Sequence, residues 1–183
     1  MNDAAYAAAN VLGVCPEHKP ARYAMAHVCL KVGIWREAWS YWQEGFYLDK
    51  FSPRCPKVGT LWNGEPIPGS RLFVHWSQGL GDTIQFLRFI PMILDRAQAD
   101  SVVLEVQPAL VGLCQDEWGD RVEIVAYDHS NPTNVPEFDY KVDLMHAPHF
   151  LGLESDYDHS MHAPYLGSKV EPAILSGMAG NRK

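Results

Sequence analysis

Hydrophobic and polar positions follow two different periods along this chain, and the change falls near residue 70. Over residues 21–49 the apolar positions recur every three to four residues. Tyr23, Ala26, His27 and Leu30 mark one helix, Val32 and Gly33 a break, and residues 35–47 a second helix. A further helix is predicted ahead of this pair, over residues 3–14. Beyond Ser70 the apolar residues gather into short runs instead. Leu72, Phe73, Val74, His75 and Trp76 form a buried-strand run that ends in a glycine loop, and residues 83–96 follow with Ile84, Leu87, Ile90 and Leu94 at helical spacing. Pro91 should kink that helix or start a new one. Residues 101–106 predict a second strand, 108–115 a helix opened by proline, 122–126 a third strand, 140–144 a fourth, and 148–151 a helical turn. Strand and helix in alternation imply an α/β domain with a parallel sheet and right-handed crossovers.

Between the two patterns lie Pro53, Pro56, Gly59, Gly64, Pro66, Pro68 and Gly69, a composition expected to exclude regular structure. The chain therefore divides into a helical segment (1–50), a linker (51–70), a Rossmann-like sheet domain (71–166) and a tail (167–183). Trp62, in the middle of the linker, is expected to anchor it in one of the neighbouring cores. The tail, with glycine, serine and late positive charge, is expected to fray.

Composition narrows the partners. A chain of 183 residues with 47% hydrophobic content buries a substantial core, which excludes disorder throughout. The net charge of -7 offers no basic footprint for a phosphate backbone, so nucleic acid is set aside in favour of small molecules or proteins. Cys15, Cys29, Cys55 and Cys114 stand far apart with no C-x-x-C pair, a pattern of reduced thiols. The first residues lack the basic and apolar blocks of a secretory signal, and no apolar run approaches the ~20 residues of a spanning helix. A cytoplasmic location without a membrane span is expected.

The most informative stretch runs from His75 through Trp76, Ser77, Gln78, Gly79, Leu80, Gly81, Asp82, Thr83, Ile84 and Gln85 to Arg88 and Pro91. It sits at the carboxyl end of a strand and opens a helix, where open α/β sheets bind ligands. Gly79 and Gly81 are expected to let the backbone turn sharply and approach a ligand, and the helix's first amides favour negative charge. Asp82 falls in the first helical turn, where an ordinary capping aspartate would also stand. Ile84 occupies the place of the third glycine of a dinucleotide fingerprint, so no nicotinamide cofactor is expected.

Other constellations have bland readings beside sharp ones. His146, His149, His159 and His162 make two H-x-x-H pairs near Asp143, Asp156 and Asp158, which could be a zinc site. Pro148 and the loop-rich composition favour exposed histidines instead, and no metal is expected. Trp35, Trp39, Trp42, Phe46 and Tyr47 could present a carbohydrate-stacking or partner-binding surface, but their spacing reads as a packed helix face. Asp116, Glu117 and Asp120 before Arg121 read as a solvated turn. No serine nucleophile elbow and no Walker loop is present.

Two resemblances emerge. Ala26, Gly33, Ala38, Trp42 and Gly45 are spaced as in a tetratricopeptide unit of roughly 34 residues, with any amphipathic helix pair as the plain alternative. A lone repeat cannot bury its own apolar face, so it should pack on the following domain, on a partner, or on both. In order along the chain, Trp62 to Pro66, Gly79 to Phe86 with Arg88 and Pro91, Val103 to Gln107, Phe138-Asp139 and Ala163 to Leu166 then resemble landmarks of bacterial tetratricopeptide proteins with a family-9-like glycosyltransferase domain, related to heptosyltransferases.

That resemblance implies the N-terminal, acceptor-side half of a GT-B glycosyltransferase, inverting and metal-independent, of the hexosyl- or heptosyl-transferase class. It implies a nucleotide-sugar donor and a sugar or protein acceptor. The family's catalytic aspartate corresponds to Asp82, and the carry-over stops at that residue. From the chemistry of the loop, Gln78, Thr83 and Gln85 are expected to hydrogen-bond acceptor hydroxyls and Arg88 to pair with an anionic group, with His75, Gly79 and Gly81 completing the candidate acceptor-binding positions. For Arg88 a core-bracing or solvated role is the competing expectation. The family usually has Ala-Glu where this chain has Trp76-Ser77, which removes a second acidic group from the loop. A donor-binding Rossmann domain is not contained in these residues, only Ile174 to Asn181 faintly resembling its beginning, so negligible turnover is expected of the chain alone. The alternative function is a non-catalytic interaction module whose helical hairpin docks a protein.

Overall fold

A computed structural model describes residues 2–47, 58–131, 134–153 and 166. Three helices come first: α1 (Asn2–Val14), α2 (Lys19–Val32) and α3 (Trp35–Trp42). The boundaries have local causes. His18 caps α2, its Nδ1 accepting from the Ala21 N–H at 3.2 Å, and Pro20 sits in the first turn where its missing N–H costs nothing. Gly33 ends the helix in the left-handed region at φ 78°, which lets the Ile34 N–H reach the Cys29 carbonyl at 2.9 Å. The chain then reverses into α3, which packs along α2.

Ala26 and Ala38 are both fully buried, so the two helices approach closely, and Trp42 lies against the rings of Tyr23 and His27. Arg22 braces the pair from the side, reaching Glu17 at 2.8 Å and Glu44 at 3.1 Å. Gly45 lies flat against the Tyr23 ring, with no room there for a side chain. Of the residues expected on the packed face, Trp39 and Trp42 are buried and Trp35 is half-buried.

The remaining strands and helices form one sheet with its cover. The strands are β1 (Thr60–Leu61), β2 (Arg71–His75), β3 (Ser101–Val106), β4 (Glu123–Ala126) and β5 (Tyr140–Asp143). They lie in the order β1-β5-β2-β3-β4, and every neighbouring pair is parallel. Between β2 and β3 run α4 (Leu80–Phe86), a 3-10 turn over Leu87–Phe89, and α5 (Ile90–Ala97). Pro91 begins the second of these helices instead of kinking the first. A 3-10 turn at Pro108–Leu110 and α6 (Val111–Trp118) link β3 to β4, and after β5 come a 3-10 turn over Leu144–His146 and α7 (Ala147–Phe150).

One expectation is corrected. Thr60–Leu61, inside the segment expected to lack regular structure, forms the edge strand beside β5. Two residues suffice because the edge is stitched by the Thr60 N–H to the Asp139 carbonyl and the Trp62 N–H to the Lys141 carbonyl, at 2.9 and 2.8 Å. Trp62 is fully buried, and its indole N–H donates to the Glu65 carbonyl at 2.7 Å, so the anchor role holds.

The two halves share a core. Ala26, Trp39 and Trp42 belong to the same buried cluster as Leu72, Val74, Leu104, Val142 and the helices over them, and Trp39 meets Phe86 edge-on at 6.4 Å. The helical segment thus buries one face on the following domain. Its outer helix leaves Tyr6, Val11 and Val14 exposed. Among the described residues no helix is long and apolar enough to cross a membrane. The tail, Cys55, His159, His162, Asp156 and Asp158 lie outside the described residues.

Candidate functional site

The chain leaves β2 toward β3 and β4 on one side, then returns to build β5 on the other. Strand order therefore reverses between β2 and β5. At such a reversal the connections diverge, and the carboxyl ends of the strands there are the usual ligand position in an open parallel sheet. Three segments meet there: the loop from His75 to Gly79 with α4 behind it, Gln107 at the end of β3, and Asp143 with the turn after it. Helix α4 packs against the Leu144–His146 turn.

Each residue expected at the site can be placed. Asp82 is exposed in the first turn of α4, and its Oδ2 accepts from the Gly79 N–H at 3.1 Å, so this oxygen caps the helix. Thr83 is 1% exposed; its hydroxyl donates to the Gly79 carbonyl at 3.1 Å and accepts from Gln107 Nε2 at 2.9 Å. The same Gln107 amide reaches the Gln78 carbonyl at 3.3 Å. Thr83 and Gln107 therefore hold the loop's shape from inside. Gln78 is half-buried, Gln85 is exposed, and half-buried Arg88 donates from Nε to the Gln85 carbonyl at 2.8 Å. Gly79 and Gly81 are exposed, and neither adopts the positive φ that would require glycine: Gly79 has φ -74° and ψ 172°. The expected sharp turn does not fall on the glycines: the chain bends at Gln78, and Gly79 itself is extended. What the glycines supply is open space, complete at Gly81.

Behind the loop the strand ends bury polar groups. His75 and Asp143 are register partners on adjacent strands, 1% and 0% exposed. His75 stacks on Phe73 with ring centres 5.8 Å apart, and Phe73 stacks on Phe138 at 5.0 Å. Asp143 Oδ1 accepts from the Met145 N–H at 2.8 Å and lies 3.7 Å from Nδ1 of His146, itself buried. The other carboxylate oxygen, Oδ2, and Nε2 of His75 are buried without a hydrogen-bond partner among the described residues.

Burial sets the protonation states, and neighbouring groups modify them. Burial alone would raise the Asp143 pKa, but hydrogen bonding to His146, the charges of His75 and His146, and the Ser77 hydroxyl together hold it below the usual carboxylate value. His75 is lowered, chiefly by burial, against the opposing pull of Asp143. It is neutral near pH 7, and the charge on Asp143 then rests on the Met145 N–H, His146 and Ser77. His149 is lowered as well, by burial and by His146.

The expectation of exposed histidines is corrected, since His146 beside Asp143 is buried and His149 half-buried; among the described residues no group of three or more His, Cys, Asp or Glu could hold a metal ion. The place of His146 and Asp143 at the β2–β5 reversal is not evident from spacing. The available signal is an aspartate closing an apolar strand, as His75 closes β2, with a histidine three residues on. Hollows of about 600 and 130 Å³ lie elsewhere: one at the amino ends of the strands, lined by Arg71 and Phe138, the other between α3 and α7, lined by Arg36, Trp39 and His149.

No family model matches the chain. Over 108 residues it is 29% identical to a Caulobacter vibrioides protein called Protein FlbA, an alignment covering 58% of this chain and 18% of that protein. The match thus spans less than a fifth of that relative's length. No solved structure matches.

Proposed function

We propose that this chain is the acceptor-side part of a glycosyltransferase of the inverting GT-B type, holding a hydroxyl-bearing acceptor at the carboxyl ends of β2 and β5. The observation that carries the reading is the reversal of strand order, with the Gly79–Asp82 loop on one side and Asp143 on the other. An inverting transfer needs one group to take the acceptor hydroxyl's proton as the oxygen attacks the anomeric carbon. Asp82, exposed in the first turn of α4, is the candidate the resemblance supplies. Gln78, Gln85 and Arg88 stand nearby as hydrogen-bonding groups. The diphosphate leaving group needs a donor-binding domain, in the same polypeptide or another, for the electrostatic stabilisation these residues do not provide.

The test supplies radiolabelled UDP-, GDP- and ADP-sugars to extract of source cells deleted for this chain, with and without the purified chain added back. Label should move from the sugar nucleotide to an acceptor only when the chain is present, and the chain alone should release almost none. Indifference of transfer to the chain sinks the reading.

A second reading rests on exposed Tyr6, Val11, Val14, Val32 and Ile34 around the helical segment. A tetratricopeptide-like hairpin with apolar residues left outside fits a protein-docking module. Partner capture lost in a Tyr6→Ser, Val14→Ser double variant, with sugar transfer intact, would favour that function.

A further inference from the structure

The helical segment and the sheet domain meet along α3 and α7, and the seam between them is not fully packed. A hollow of about 130 Å³ lies in it, with Arg36, Trp39 and Ser40 on one wall and Pro148, His149 and Gly152 on the other. Arg36, Trp39 and Ser40 stand at i, i+3 and i+4 of α3, the spacing that brings side chains onto one helix face. The opposite wall is fixed by the way α7 ends. There the Gly152 N–H reaches the His149 carbonyl and the Leu153 N–H the Pro148 carbonyl, both at 3.1 Å, with Gly152 in the left-handed region at φ 68°.

The polar groups around this hollow are of one kind. Among the described lining residues there are a guanidinium, an imidazole and a hydroxyl but no carboxylate, in a chain whose net charge is -7. The larger hollow at the amino ends of the strands differs, because there Glu137 and Asp139 share the wall with Arg71 and offset its charge. Arg36 is exposed and carries five N–H donors in a rigid fork, so it can serve a ligand whatever else it contacts. Half-buried His149 packs edge-on against Phe150 with ring centres 5.1 Å apart, and burial lowers its pKa, so near pH 7 it offers one N–H donor and no charge. The Ser40 hydroxyl already donates to the Glu37 carbonyl at 2.9 Å, which leaves its lone pairs to accept from a ligand. Donors from Arg36 and His149 suit the oxygens of an anion, and an accepting Ser40 suits a ligand hydroxyl. The volume is well short of the roughly 300 Å³ that a drug-sized ligand occupies, which excludes a nucleotide.

We propose that the seam between α3 and α7 binds a small hydroxylated carboxylate, its carboxylate held by Arg36 and His149 and a hydroxyl held by Ser40, and that this ligand fastens the helical segment to the sheet domain. None of the lining residues belongs to the Gly79–Asp82 loop, so the site stands whether or not the chain takes part in sugar transfer.

The test titrates the full chain with D-glycerate and with D-glucuronate, following the Trp39 indole and His149 imidazole resonances and the unfolding temperature, with glucose and inorganic phosphate as comparisons. At least one of the two carboxylates should shift both resonances saturably at millimolar concentration and raise the unfolding temperature, as a ligand of the folded state must. The tighter of the two tells an open-chain hydroxy acid from a sugar acid. Arg36→Gln, at an exposed position that the fold does not depend on, should weaken binding about tenfold or more, the scale of a lost charge-assisted hydrogen bond, and Ser40→Ala should weaken it by a smaller factor. Absence of a saturable shift with either carboxylate overturns the proposal, as does undiminished binding by Arg36→Gln. Phosphate binding as tightly as the better carboxylate, or glucose doing so, overturns the assigned ligand chemistry.

Discussion

The two faces of the sheet are built on opposite rules. One face carries Leu72, Val74, Val102, Leu104, Val106 and Val142, all in the main hydrophobic cluster with the helices and the tryptophans of α3. The other carries Phe73, His75, Val103, Glu105, Lys141 and Asp143, every one of them buried, four of them ionisable. Strand alternation produces the split, since successive side chains point to opposite sides. The apolar face obtains its stability from area removed from water and asks little of geometry. The polar face must satisfy each group it buries, so it is specific and sensitive to protonation. The candidate site grows out of the second face, where β2 and β5 end in His75 and Asp143.

The largest expected effect comes from breaking the apolar face. Leu104→Ala, in a central strand and fully buried, should cost about 3 kcal/mol. Denaturant unfolding at pH 5 and pH 8 should give the same loss, because nothing titratable changes. A loss that varies strongly with pH would mean the two faces are not energetically separate.

Asp143→Asn sharpens the contrast from the other side, with an expected cost of about 2 kcal/mol, the scale of hydrogen bonds to a charged group. Its folded pKa lies below the ordinary value of 3.8. Stability from the ionised carboxylate is thus fully present above 3.8 and lost as pH falls through the lower folded value. The gap between wild type and variant should be constant at neutral pH and narrow below pH 3.8. A gap that stays constant far into acid would assign Asp143 a packing role alone.

How much of this could be read from sequence differs between the faces in the same way. Apolar runs at residues 72–76 and 101–106 announce β2 and β3 because continuous hydrophobicity is the mark of a strand buried on both sides. The edge strand at Thr60–Leu61 cannot be announced in that way: it has two residues, among prolines and glycines, and exists through pairing with β5, a partner about 80 residues away. The loop after β2 is legible through its glycines and Asp82, although the glycines do not bend the chain. Asp143 is legible only as a neighbour of histidines. Its position beside His75 depends on strand order, which local periodicity does not encode.

His75→Phe should change a slope more than a level. The phenyl ring can keep the stack on Phe73, so stability at pH 8 should stay near wild type. The His75 pKa is depressed below 6.5, so the unfolded chain accepts a proton that the folded chain refuses. Its contribution is complete above pH 6.5 and lost as pH falls through the folded value. His27 and His149 are depressed in the same sense, so the wild type should lose stability on acidification and His75→Phe should lose less. Identical pH profiles for the two proteins would show that His75 exchanges protons freely while folded.

The smallest effect concerns Asp82, and it separates the loop from the polar face behind it. As a cap, the carboxylate satisfies the Gly79 N–H at 3.1 Å and complements the positive end of a seven-residue helix. Asp82→Ala removes both and should cost about 1 kcal/mol in denaturant unfolding. Asp82→Asn keeps an acceptor oxygen in the same place and loses only the charge, for about 0.5 kcal/mol, a difference that salt should screen. The ordering alanine, asparagine, wild type is the signature of a cap. If both variants unfold like the wild type, the carboxylate is not bound to its own helix, and Oδ2 as well as Oδ1 is available to an acceptor hydroxyl.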